Sequence, residues 1–196
     1  YRFFSHGDTE VILKAWHCWG AEAVHRLNGM FAFAVWERDS GRIFLARDRL
    51  GIKPLYWTRA GGAFRFASSL PSLVKGGGVS GAIDPVALRF YMSFHAVVPA
   101  PWTILADIRK LPPATIMTVE PDGTTSEHAY WRLDFAAKPG DHAMSEQDWQ
   151  DEVLAALRRS VRRRMVADVP VGLLLSGGLD SSLITGLMAE AGQPGL

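Results

Sequence analysis

The sequence predicts two architectures in succession, an α+β half built on antiparallel sheet and then the start of an α/β half built on a parallel sheet. Three observations lead there. From Met30 to Tyr130, short aromatic and β-branched runs alternate with turn residues. From Phe135 to Glu146 the periodicity is lost and Lys, Pro, Gly, Asp and His accumulate, the composition of a linker. Beyond it come an apolar run, a glycine pair and a helical segment, between Val169 and Met188. The expected boundaries are 1–134 for the first domain, 135–146 for the linker and 147–196 for the second.

Taken in order, Tyr1 to Phe4 has the aromatic character of a strand, and Thr9 to Trp19 follows a polar cap as an amphipathic helix. Phe31–Trp36, Arg42–Ala46, Leu55–Arg59 and Ala63–Ala67 are each short and bounded by turn residues, which predicts strands. Ala60-Gly61-Gly62 makes a hairpin turn. Gly76 to Gly78 are expected to be a mobile loop, since no strand feeds them as it would a phosphate cradle. Asp84 and Pro85 open a helix to Phe94, the proline at the first helical position where its missing N–H costs nothing. Pro121-Asp122-Gly123 joins strands at Thr115–Glu120 and Thr125–Trp131. After the linker, Trp149, Val153, Leu154, Leu157, Val161 and Met165 recur at helical spacing, with arginines on the other faces. Val169 to Leu175 is apolar and too short for a helix, so a buried parallel strand is expected, leading through the glycines into a helix over Leu183–Met188.

Composition narrows the classes. The chain has 196 residues, 48% of them hydrophobic and a net charge of +1, so no global field draws it to nucleic acid or an anionic membrane. No apolar run approaches the roughly 20 residues of a spanning helix. A single cysteine, Cys18, excludes an internal disulfide framework, and there is no signal peptide, so a reducing cytoplasm is expected. The opening without methionine and the stop one helix after the glycine pair predict a piece of a longer protein.

The richest chemistry lies in Leu173 to Ser182, LLLSGGLDSS. A strand, a tight glycine turn and a helix N-terminus direct backbone N–H groups and the positive end of a helix dipole at one point, which suits phosphate oxygens. Gly177 and Gly178 permit close approach, and Ser176, Ser181 and Ser182 add hydroxyls. Asp180 suits either Mg²⁺ or an N-cap bond. No lysine follows the glycines as a Walker A loop requires, which disfavours γ-phosphoryl transfer. The string resembles the PP-loop, S-G-G-x-D-S, of ATP pyrophosphatases, which attack the α-phosphate and release pyrophosphate.

The strings GDTEV, NGMFAFAVW, ARDRLGIKPLYW, DVPVG and LLSGGLDSS, in this order, resemble the glutamine-dependent asparagine synthetase family along nearly the whole chain. The resemblance implies an Ntn-type αββα glutaminase sandwich, incomplete here, fused to a PP-loop synthetase domain. It implies that Asp8 holds the α-ammonium of glutamine by a charge-assisted bond; on pattern alone Asp8 serves equally as cap of the helix from Thr9. Leu175, Ser176, Gly177, Gly178, Asp180, Ser181 and Ser182 correspond to the ATP site, with Leu175 offering backbone contacts and Asp180 holding Mg²⁺. The Arg47–Trp57 segment is expected to be a structural loop with turns at Gly51 and Pro54.

By the same resemblance the nucleophile is an N-terminal cysteine, its own amine acting as base, that precedes Tyr1. The fragment is then expected to perform neither half-reaction. Cys18, between Trp16 and Trp19, is expected to be a buried apolar thiol and no substitute. The implied reaction couples glutamine hydrolysis to adenylation of a carboxylate, which ammonia converts to an amide. The acceptor is aspartate or, since SFHAVVPAPWTILADIRKLPPAT and RRRMVADVPVG resemble a bacterial osmoprotectant branch, N-acetylglutaminylglutamine. Glutamine, ATP, Mg²⁺ and the acceptor are the implied small-molecule partners, no membrane is expected, and a homodimer is compatible with the pattern. Two rivals stand beside this reading: a β-lactam-synthetase-like enzyme without glutaminase activity, and a nucleic-acid module built on Arg158, Arg159, Arg162, Arg163 and Arg164.

Overall fold

Period-two alternation places the strands of the first half in two sheets that share one interior. The structure, a computed structural model, describes residues 1–136, 140 and 143–192. Of the expected linker, residues 137–139 and 141–142 lie outside the described residues. The chain divides into two compact units, Tyr1–Asp134 and Phe135–Leu196.

In the first unit, helices α1 (Asp8–Trp19) and α2 (Ala23–Arg26) precede strands β1 (Ala32–Trp36), β2 (Ile43–Arg47), β3 (Tyr56–Thr58) and β4 (Arg65–Ala67). Helices α3 (Leu70–Lys75) and α4 (Pro85–Ser93) follow, then β5 (Arg109–Lys110), β6 (Thr115–Val119) and β7 (Thr125–Ala129). One antiparallel sheet has the order β1-β2-β6-β7, the other β4-β3-β5. Along β2, Phe44 and Ala46 face one way and Ile43 and Leu45 the other, as a strand requires. The first set joins Val24, Phe33, Ile116 and Tyr130. The rings of Phe33 and Phe44 also meet Trp16, so α1 covers this face. The second set joins Met117 and Val119 with Leu55, Trp57 and Leu111 from in and around the smaller sheet. The layers therefore run helix, sheet, sheet.

Where the two sheets meet, the turn after β2 is built around two adjacent buried charges. Asp48 is 1% exposed, and its carboxylate accepts from the backbone N–H groups of Phe31 (3.3 Å), Leu50 (3.2 Å), Ile52 (3.0 Å) and Lys53 (2.9 Å). The Arg47 guanidinium donates to the carbonyls of Lys53, Leu111 and Gly51. Burial pulls its pKa down, and Asp48 opposes that. Gly51 has φ +65°, and a Cβ there would fall 2.9 Å from Pro113 Cγ, so only glycine fits. The expected structural role of Arg47–Trp57 thus has a specific physical form.

Three local features differ from expectation. Helix α3 is too short to show periodicity, and β5 is a charged pair that becomes a strand only by pairing Tyr56 with Lys110 and Trp57 with Arg109. The loop at Gly76–Gly78 was expected to be mobile, but it is anchored: Arg65 Nη1 donates to Gly77 O (2.6 Å) and Ala60 O (3.2 Å). Its Gly78 packs against Gly61 so closely that a Cβ on Gly78 would lie 3.1 Å from Gly61 Cα. Asp84 caps α4 as expected, accepting from the N–H groups of Val86 and Ala87.

In the second unit, α5 (Glu146–Arg164) starts with a reciprocal capping box between Ser145 and Asp148. It packs through Leu154, Leu157 and Val161 on Leu187 and Met188 of α6 (Leu179–Glu190). The buried strand expected over Val169–Leu175 is not formed among the described residues: Val169 is 70% and Leu174 96% exposed. Val171 and Leu173 do turn toward the helices while Leu174 turns away, an extended alternation. A strand exists only through its ladder neighbours, and the two sheets formed among the described residues do not include this segment.

Replacing Asp48 with Ala orphans four N–H groups beside a buried cation. The expected loss is about 3 kcal/mol of unfolding free energy, read from urea denaturation midpoints; a loss under about 0.5 kcal/mol would remove the pair from its central place.

Candidate functional site

The first candidate site lies at the N-terminus of α1. The helix starts at Asp8, with Gly7 as N-cap and no side-chain cap bond. Asp8 therefore sits inside the first turn instead of capping a helix from Thr9, which removes the rival role for it. Its carboxylate is exposed and accepts from the Thr9 hydroxyl at 3.4 Å. A carboxylate there is favoured by the helix dipole and is open to an ammonium group.

Two residues on, Glu10 is buried, and this is the residue sequence reasoning passed over. Its oxygens accept from Phe4 N (3.1 and 3.3 Å), Ser5 N (2.7 Å) and the Ser5 hydroxyl, and it pairs with Lys14. The signal available in the sequence was the four-residue spacing of Glu10 and Lys14, which puts opposite charges on one helix face. Burial by itself would raise the Glu10 pKa; the bonds from Lys14, Ser5 and Phe4 outweigh it and bring the pKa down to about 2.

Cys18 is exposed, not buried as expected. Trp16 packs inward, and two residues further along an α-helix is about 200° around, on the solvent side.

The second candidate site is the turn into α6. Gly177 has φ +80°, a left-handed conformation, and Gly178 is the N-cap with no side-chain cap bond. Asp180 is thus in the first turn and not a cap. The hydroxyls of Ser181 and Ser182 donate to Gly178 O at 3.1 and 2.8 Å, and Ser176 Oγ lies 3.1 Å from Ser181 Oγ. This leaves the first-turn N–H groups without side-chain partners at the positive end of the dipole, an arrangement that takes an anion. Leu175 is exposed just before the turn. Among the described residues no group of three or more His, Cys, Asp or Glu gathers into a metal site, so Asp180 is a lone carboxylate. That suits Mg²⁺, which commonly takes one or two carboxylates and fills its shell with substrate phosphates and water.

On the basic helix face, Arg158 is engaged by Glu190 in a two-pronged pair (2.8–3.1 Å) that ties α5 to α6, and Arg164 donates to Ser160 O. No described helix is long and apolar enough to cross a membrane.

Residues 1–131 match the family described as glutamine amidotransferase domain, and residues 152–196 match asparagine synthase. The chain belongs to the glutamine amidotransferase domain family. It is 40% identical over 191 residues to asparagine synthetase [glutamine-hydrolyzing] 1 of Bacillus subtilis, covering 97% of this chain and 29% of that protein. It is 34% identical to asparagine synthetase [glutamine-hydrolyzing] 3 of the same organism, over 96% of this chain and 30% of the relative. A putative asparagine synthetase of Mycobacterium bovis is 39% identical, over 94% of this chain and 29% of its own length. The chain thus spans under a third of these relatives.

Because the folded pKa of Glu10 lies below the unfolded value of 4.5, its contribution is fully present above pH 4.5 and is lost as pH falls toward 2. The amide resonances of Phe4 and Ser5 should therefore titrate with a midpoint near 2 in NMR spectra. A midpoint at the ordinary glutamate value would show that the bonds to Glu10 do not persist in solution.

Proposed function

We propose that the intact protein makes a carboxamide from a carboxylate, using ammonia from glutamine and energy from ATP. The observation that carries this is the succession of amidotransferase and asparagine synthase matches along one chain, each with its polar group exposed at an uncapped helix start. In this reading residues 1–134 belong to an Ntn-type glutaminase domain, 135–146 connect, and 147–196 begin the PP-loop domain. The helix–sheet–sheet layering of the first unit supports the former.

Asp8 holds the α-ammonium of glutamine, whose hydrolysis yields glutamate and ammonia. At the turn into α6, the N–H groups of the first turn and the hydroxyls of Ser176, Ser181 and Ser182 hold the pyrophosphate part of ATP, with the Leu175 backbone beside the nucleotide. Asp180 and the phosphates hold Mg²⁺, which neutralises phosphate charge when bound. The acceptor carboxylate attacks the α-phosphate and pyrophosphate leaves; ammonia then attacks the acyl-AMP carbonyl, forming the amide and expelling AMP. The acceptor is aspartate or N-acetylglutaminylglutamine.

Pyrophosphate release by the intact protein, given glutamine and ATP, tests this with each acceptor in turn. Release with aspartate alone identifies asparagine synthesis, release with the dipeptide alone identifies the osmoprotectant branch, and release with neither overturns the reading. Gly177→Val strains a left-handed residue, and should cut pyrophosphate release about a hundredfold while glutaminase activity stays within about twofold. Asp8→Asn should raise the glutamine KM at least about tenfold and leave ammonia-dependent synthesis intact.

A further inference from the structure

The N-terminus of α1 is held in an unusual way. In the common capping box, the carboxylate at the third helical position reaches back to the N–H of the cap residue. Glu10 occupies that position, yet its carboxylate reaches past Gly7 to the N–H groups of Ser5 (2.7 Å) and Phe4 (3.1 Å). The Ser5 hydroxyl donates to Glu10 and accepts from Gly7 N (3.4 Å). Lys14 bonds to Glu10 and to Arg2 O, and its ammonium lies over the rings of Phe3 (4.5 Å) and Phe4 (4.6 Å). The chain entering α1 is therefore gripped from Arg2 to Gly7 by one buried carboxylate and its lysine, while the helix cap itself is a glycine.

We propose that Glu10 is a positioning residue for glutamine, acting through Ser5 and Gly7 to fix where the Asp8 carboxylate stands. This rests on the reading of Asp8 as the ammonium site. Asp8 has no cap bond and only a long contact to the Thr9 hydroxyl, so its own interactions do not locate it. Its backbone follows directly on the segment that Glu10 holds. A charge-assisted bond to an ammonium group falls off steeply with misplacement, so release of this segment weakens substrate capture more than turnover.

The test is steady-state glutaminase kinetics of the intact protein, with ammonia-dependent synthesis followed in parallel. Glu10→Ala should raise the glutamine KM about tenfold with kcat within about twofold and ammonia-dependent synthesis unchanged. Ser5→Ala, which removes the link between Glu10 and Gly7 but keeps the Glu10–Lys14 ion pair, should raise KM about threefold. It decides the matter if Glu10→Ala does not fold. An unchanged KM in the folded variants, or KM, kcat and ammonia-dependent synthesis failing together, would overturn the positioning role. Asp8→Asn separates the two layers: if it raises KM while Glu10→Ala and Ser5→Ala do not, only the positioning role falls, and if it leaves KM unchanged, the ammonium-site reading falls with it.

Discussion

Two adjacent buried charges, Arg47 and Asp48, set the frame on which the first unit is built. Burying either alone would cost several kcal/mol. Here the cost is met by dense hydrogen bonding: the guanidinium serves three carbonyls and the carboxylate four backbone N–H groups. These partners belong to different elements. Phe31 leads into β1, Leu111 leads from β5 toward β6, and residues 50–53 form the turn toward β3. The backbone of the pair is engaged as well, since Ala114 N donates to Asp48 O (2.9 Å) and the Tyr130 hydroxyl to Arg47 O (2.8 Å). Burial of that hydroxyl raises its pKa to about 12, so it remains a donor across the ordinary pH range. The crossing from the larger sheet to the smaller is thereby fixed in one conformation, and the apolar residues between the sheets meet in one register.

The two candidate sites use the same device, a helix N-terminus without a side-chain cap, with opposite chemistry. At α1 the group exposed in the first turn is an anion, Asp8, which the proposed function pairs with a cation. At α6 the first turn exposes N–H groups, which the proposed function pairs with the phosphates of ATP, and Asp180 is the carboxylate it assigns to Mg²⁺. In both cases the missing cap leaves polar groups free to meet a ligand. The difference lies in support. Around Asp8 the incoming chain is held by Glu10 and Lys14, whereas the segment leading to Gly177 exposes Val169, Leu174 and Leu175.

Much of this was legible in residue order. Apart from β5, the strands from Ala32 to Ala129 announced themselves as short runs bounded by turn residues, α4 by Asp84 and Pro85 at its start, and α5 by its apolar spacing. Asp8 and the loop from Ser176 to Ser182 stood out because they lie in strings, GDTEV and LLSGGLDSS, that resemble the family. What could not be read was anything whose meaning lies in a partner distant along the chain. Strand β5 is an unremarkable Arg-Lys pair until it lies beside β3, and the glycines at 76–78 seemed loose until Arg65 and Gly61 were found against them. Cys18 was misjudged because its neighbours Trp16 and Trp19 are close in sequence while Cys18 itself projects to solvent.

By itself, then, the sequence determined the antiparallel first half, its separation from a second unit, the family, and the identity of the groups at each helix start. Local propensity and periodicity carry that information, because they act over a few residues. Only the tertiary structure decided that Asp48 is a buried hub, that Glu10 grips the chain ahead of Asp8, and that neither Asp8 nor Asp180 is a cap. Those outcomes depend on desolvation and on which backbone donors come within about 3 Å, quantities that exist only once the chain has closed on itself.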